Sequence, residues 1–121
     1  GVSLVETGKW TGKGKNRQFV STDLFAPGDA IVVRTRVLDA GDNPVANATV
    51  EITIGGPETV TLNSNPSAGD GWAEATWQTQ SPNKKGQGGT TPGLYTASTT
   101  NVTASGYHWD GVTTSAEFTV Q

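Results

Sequence analysis

Apolar and polar side chains alternate along two stretches of this chain more regularly than anywhere else in it. Ile31 to Leu38 reads Ile-Val-Val-Arg-Thr-Arg-Val-Leu, and Ala48 to Ile54 reads Ala-Thr-Val-Glu-Ile-Thr-Ile. A period of two marks a strand with one face in a core and the other outside. In the first stretch Ile31, Val33, Thr35 and Val37 share one face. Val32, Arg34 and Arg36 share the other, and two arginines there predict a wet surface. In the second, Ala48, Val50, Ile52 and Ile54 point inward and Thr49, Glu51 and Thr53 outward. Between them Asp39 to Asn47 contains Gly41-Asp42-Asn43-Pro44, a cluster that turns the chain.

The same pattern, less regular, predicts the other elements. Val2 to Glu6 reads as a first strand and Thr7 to Asn16, rich in Gly and Lys, as a loop with Trp10 inside it. Gln18 to Phe25 reads as a second strand or as a continuation of the first, ended by Ala26-Pro27-Gly28-Asp29. Glu58 to Leu62 is a short strand with Val60 and Leu62 on its apolar face, and Asn63 to Gly71 is loop. Trp72 to Gln78 places Ala73, Ala75 and Trp77 inward, with Trp72, Glu74 and Thr76 on the solvent side. Ser81 to Pro92 reads as a long, flexible polar loop. Gly93 to Val102 follows, with Tyr95, Ala97 and Thr99 on one face. Thr103 to Gly111 is a loop carrying Tyr107-His108-Trp109-Asp110, and Val112 to Val120 is the last strand, with Ala116, Phe118 and Val120 inward.

Seven or eight short strands without a helical interval predict an all-β, antiparallel sandwich of immunoglobulin-like type. In such sandwiches a Tyr near the start of strand F lies two residues before a core Cys. Tyr95 and Ala97 hold those positions, so a version without a disulfide is expected. Ile31–Leu38 and Ala48–Ile54 would then be strands B and C in different sheets, and Asp39–Asn47 an arch over the core rather than a hairpin turn.

Composition narrows the function. At 121 residues the chain is expected to form one domain, residues 1–121. Residues 1–17 would be the first strand with a flexible Gly/Lys loop, and 18–121 the sandwich body. The hydrophobic share of 33% suits alternating strands. The chain has no Cys and no Met, which excludes thiol catalysis, disulfides and thiolate metal sites. A net charge of −3 argues against non-specific nucleic-acid binding. Lys9, Lys13, Lys15 and Arg17 form the one basic stretch, which reads as a solvated loop. There is no apolar run long enough to span a membrane. No signal peptide is visible, so a mature or excised fragment is expected.

Asp39-Ala-Gly-Asp-Asn-Pro-Val-Ala-Asn-Ala-Thr-Val resembles the D-x-x-G-N-P-V-x-x-A-x-V segment of bacterial immunoglobulin-like and fibronectin-like modules, with Gly-Asp-Asn-Pro where those modules often have Asn-Gly-Asn-Pro. Asp70-Gly71-Trp72-Ala73 resembles their D-G-x-A, and Leu94-Tyr95-Thr96-Ala97 with Asn101-Val-Thr-Ala-Ser-Gly-Tyr resembles their closing pair of strands. The likeness covers about residues 30 to 121. It extends to modules appended to secreted bacterial hydrolases such as subtilisin-like proteases. The resemblance implies an extracellular, secreted or cell-surface setting and modular, non-catalytic use beside neighbouring domains. It carries over no functional residue, because the shared positions are turn and core positions.

Strand directions place Asp39, Asp42, Asn43, Asn63, Asp70 and Asp110 at one end of the sandwich, together with Tyr107, His108 and Trp109. Three chemistries compete there. Catalysis would rest on His108, the one histidine, but no Gly-x-Ser-x-Gly elbow or other nucleophile motif accompanies it. Calcium would need about six oxygen ligands; no D-x-D-x-D-G loop occurs, and Asx turns already account for these residues. No cofactor is therefore expected. A polysaccharide or an extracellular protein would use Trp72, Tyr107 and Trp109 as stacking or packing groups. Against that, loop aromatics commonly cover the open end of a core. Asn47-Ala-Thr and Asn101-Val-Thr match the glycosylation acceptor pattern, as a Thr-rich chain does by chance. The expectation is a non-catalytic accessory module, acting as spacer or as adhesion and substrate contact. The alternative is a dedicated carbohydrate-binding module.

Overall fold

Nine strands build the domain, in a computed structural model that describes residues 1–121. They are β1 (Val2–Thr11), β2 (Gln18–Ser21), β3 (Leu24–Phe25), β4 (Ala30–Val37), β5 (Thr49–Gly55), β6 (Thr59–Asn63), β7 (Trp72–Gln78), β8 (Gly93–Thr103) and β9 (Ser115–Val120). One sheet has the order β2-β1-β4-β7 and the other β3-β9-β8-β5-β6. All neighbours are antiparallel except β3 and β9. An immunoglobulin-type sandwich keeps strands B and E in one sheet and C, F and G in the other. Here β4 and β7 face β5, β8 and β9 in that arrangement. Asp39–Asn47 does cross between sheets as an arch, because β4 and β5 lie in different ones, but it begins with a small hairpin of its own in which Leu38 bridges Pro44.

The alternation sets the core. Ile31, Val33, Val50, Ile52, Ile54, Tyr95 and Ala97 are fully buried between the sheets. Phe118 stacks on Tyr95 at 5.5 Å, and Trp77 meets Tyr95 edge-on at 5.3 Å. These aromatic contacts add to the area they remove from water. The Tyr95 hydroxyl donates to the Thr91 carbonyl oxygen at 2.6 Å. That bond back to the chain just upstream is a tyrosine corner, and Ala97, wholly buried, fills the position of the absent cysteine.

Three elements differ from the expectation. The first strand runs to Thr11, so Lys9 and Trp10 lie in a strand and not in a loop. Gly8 suggested a loop but serves close packing, since a Cβ there would collide with the Val20 carbonyl oxygen and the Phe19 ring. The Gln18–Phe25 run is two strands, β2 and β3, which raises the count to nine. Thr22 donates its N–H to the Thr7 carbonyl oxygen in one sheet, while Asp23 accepts from Thr119 N–H in the other. The chain thus changes sheets between two adjacent residues. The last strand begins at Ser115, leaving Val112 to Thr114 outside it.

Two stretches read as loops are tightly held. Buried Ser64 and Ser67 accept from the N–H groups of Val50 and Ala48, each at 2.9 Å, and pin 63–71 along β5. Within 81–92, Asn83 N–H donates to the Gln87 carbonyl oxygen, Gly86 N–H donates to the Asn83 carbonyl oxygen, and Asn83 Oδ1 accepts from Lys85 and Gln87 N–H. With Gly86 at φ 77° this is a three-residue hairpin turn.

Candidate functional site

With β4 taken as running upward, Asp39–Asn43, Asn63–Gly71 and Ala104–Asp110 lie at the upper pole, as their strand ends require. The first of these loops is built on Asp39. Its N–H donates to the Asn43 carbonyl oxygen, its carbonyl accepts from Asp42 N–H, and its Oδ1 accepts from Gly41 and Asn43 N–H at 2.9 Å. These hydrogen bonds, from Asn43 above all, hold the Asp39 carboxyl below the usual carboxylate range. Asp42 adopts φ 62°, a left-handed conformation that Asp tolerates better than most residues. Below it, Gly71 lies so close to β4 that a Cβ would stand 2.6 Å from the Val37 carbonyl oxygen.

Between this loop and Ala104–Asp110 opens a cleft of about 290 Å³. Val37, Val45, Val102 and Ala104 give it an apolar lining, Tyr107 and Trp109 an aromatic one, and Asp39, His108 and Asp110 polar groups. It adjoins a shallower depression of about 280 Å³ that takes in Ser3 and Asp42. Tyr107 is 52% exposed at the cleft. Trp109 is half-buried, and its indole N–H is buried without an acceptor. An orphaned buried donor of this kind costs about 1–3 kcal/mol.

His108 is exposed and pairs with no carboxylate. The acids stand around the pole without converging: no three Asp, Glu or His side chains are grouped closely enough to share a metal ion. What the cleft offers is an aromatic and aliphatic surface with negative charge beside it, which suits binding.

Of the three aromatics proposed as contacts, Tyr107 and Trp109 share the cleft, and Trp72 does not. Trp72 is half-buried on the outer face of β2-β1-β4-β7, with the Arg34 guanidinium 4.4 Å from its ring centre. That face is not the wet surface that Arg34 and Arg36 suggested. Arg34 also lies 4.5 Å from the Phe19 ring, and Arg17 lies 4.0 Å from that of Trp10. Trp10 meets Phe19 edge-on at 5.5 Å, and its indole N–H donates to both Glu74 carboxylate oxygens at 3.1 Å. Val32 beneath is buried. Arginine stacks on aromatic faces because its charge is spread over a plane and weakly hydrated.

No family model, curated protein or solved structure matches this chain. The site is therefore read from its own geometry. Sequence reasoning passed over Trp10, Phe19, Arg17 and Arg34 as a group, because they meet only once β1, β2, β4 and β7 are paired. The signal available was an arginine, Arg34, and an aromatic, Trp72, both on predicted outward faces; Trp10 falls in a predicted loop and Phe19 has no assigned face.

Proposed function

We propose that this domain is a non-catalytic accessory module of a secreted, multidomain bacterial protein, acting as a spacer and as a contact for neighbouring domains or substrate. The observation that carries the reading is the direction of the first and last strands, β1 and β9. β1 starts beside Val37 at the upper pole, and β9 ends beside Gly93 at the lower pole. A chain passing through the module therefore enters and leaves at opposite ends. At about 3.3 Å per residue, a strand as long as β8 separates those ends by roughly 35 Å. An exposed His108 without a paired acid supports the non-catalytic part.

The test is an assay of the domain on peptide, ester and glycoside substrates. No turnover is expected. Turnover that disappears in His108→Ala would overturn the reading.

A second reading, carbohydrate binding, is favoured by the exposed Tyr107 ring at the apolar cleft. An aromatic ring beside carboxylates is suited to stacking on a sugar while accepting from its hydroxyls. Affinity electrophoresis against a panel of polysaccharides decides it: retention lost in Tyr107→Ala supports this reading, and no retention on any of them removes it.

A further inference from the structure

The unpaired side-chain charges are mainly basic at the lower pole and acidic at the upper, although Glu58 accepts from Thr91 N–H beside the 81–92 segment and the Gly1 amino group lies at the cleft. Of the eight basic residues, all but Arg34 and Arg36 lie toward the lower pole, on β1, on the turn that follows it, or on the 81–92 segment. Lys9 is paired with Asp29 at 2.7 Å and Arg17 is stacked on Trp10, which leaves Lys13, Lys15, Lys84 and Lys85 exposed and without an acidic partner. Asp39, Asp42, Asp70 and Asp110 cluster toward the upper pole, and none forms an ion pair with a Lys or Arg side chain. One turn geometry is used at both ends. Asn83–Gln87 repeats the four hydrogen bonds that the backbone N–H groups of Asp39–Asn43 make within that turn, with Gly86 at φ 77° where Asp42 has φ 62°. Above, that turn carries Asp39 and Asp42 beside the apolar cleft; below, it presents Lys84 and Lys85.

We propose that the upper pole of one molecule docks the lower pole of a second copy of this chain, with the Asn83–Gln87 turn seated over the acid-bordered cleft. The cleft supplies apolar surface, and the two lysines reach Asp42 and Asp110. Because unlike poles meet, the contact is heterologous, and because the two poles stand at opposite ends of the sandwich each docking leaves one of each free, so copies add in a row. The end of a sandwich is a small surface, so the association is weak and depends on ionic strength. This inference goes beyond the spacing role and does not depend on it.

Sedimentation velocity over a wide concentration range tests it. The expected result is a mean mass that keeps rising with concentration at low ionic strength and returns to that of the monomer at about 1 M salt, where charges are screened beyond about 3 Å. A monomer at every concentration, or a plateau at twice the monomer mass, would overturn the proposal. Reversing the lower pole with Lys84→Glu and Lys85→Glu leaves Asn83 and Gly86 in place to form the turn. Reversing the upper pole with Asp42→Lys and Asp110→Lys is the converse change. Each reversed protein alone is expected to remain monomeric, and an equal mixture of the two to associate again.

Should the Asp42→Lys protein not fold, Asp42→Asn with Asp110→Asn keeps the turn chemistry and is expected to weaken self-association about tenfold. Amide shifts on association are expected in Asp39–Asn43, Tyr107–Asp110 and Asn83–Gln87. Shifts elsewhere with these segments unmoved, or undiminished association in the reversed proteins, would refute the contact.

Discussion

The two outer faces of this sandwich begin from the same alternation and end with opposite chemistry. On β2-β1-β4-β7, Trp10, Phe19 and Trp72 stand among Arg17 and Arg34, and Glu74 receives the Trp10 indole N–H. On β3-β9-β8-β5-β6 the outward residues are mostly hydroxyl-bearing. The Thr53 and Thr100 hydroxyls lie 3.1 Å apart, and Thr100 donates to the Glu51 carboxylate at 2.8 Å. The lesson is that an outward arginine does not by itself mean a wet face. Its effect depends on what the neighbouring strands put beside it: rings make it the polar cover of an apolar layer, and threonines leave the surface open to water.

If the first face is a packed layer, removing its central ring should have the largest effect. Trp10→Ala takes away the Phe19 edge contact, the Arg17 stack and the hydrogen bond to Glu74 together. A loss of about 2 kcal/mol in urea unfolding is expected, below the range for a fully buried Trp because Trp10 is only half-buried. Thr53→Ala on the other face should cost under about 0.5 kcal/mol. Equal losses would abolish the distinction between the faces.

A second change concerns what lies behind Arg34 on the same strand. Thr35 is fully buried between the sheets, and its hydroxyl has no partner. Thr35→Val keeps the shape and removes the orphan. It should stabilise the domain by about 1 kcal/mol, seen as a rise in Tm of about 4 °C. A lower Tm would mean that the hydroxyl is satisfied in solution.

Arg34→Lys then tests the nature of the cover. It keeps a positive charge facing Glu6, which pairs with Arg34 at 3.5 Å, but loses the planar group that stacks on Phe19 and Trp72. A loss of about 0.5–1 kcal/mol is expected, largely insensitive to salt because stacking rather than charge is lost. No loss at low salt would return the face to the wet surface that its arginines suggested.

These differences show where the sequence is legible. Period-two alternation identifies Ile31, Val33, Val50, Ile52 and Ile54 as core, because burial on one side is a property of each strand alone. Tyr95 could be placed for the same kind of reason, since its corner bond reaches only four residues back. The cleft was legible in part: strand direction puts Asp39, Asp110, Tyr107 and Trp109 at one pole. Trp72 lies on the outer face where alternation puts it, but its half-burial beneath Arg34 was not legible, because Arg34 comes from a strand far away in sequence. The 81–92 segment was read as flexible because Gly and Lys dominate it. The ordering agent is the Asn83 side chain, whose turn differs from that at Asp39 in charge and not in geometry.

The smallest effect belongs to the hydroxyl face, and it turns on a bulge. The register between β5 and β8 shifts between Glu51 and Ile52, whose partners are Asn101 and Thr99, so Thr100 is the extra residue. The bulge lets Thr99 point into the core while Val102, two residues past the bulge, still packs against it. If Thr100 only fills the bulge, its bond to Glu51 is a surface contact exchanged readily for water. A double-mutant cycle between Glu51→Ala and Thr100→Ala should then give a coupling of about 0.3 kcal/mol. The corresponding cycle between Arg34→Ala and Trp72→Ala should give about 1 kcal/mol. A larger coupling across Glu51 and Thr100 would invert the comparison and make the bulge hydroxyl, rather than the stacked rings, the better-ordered part of the surface.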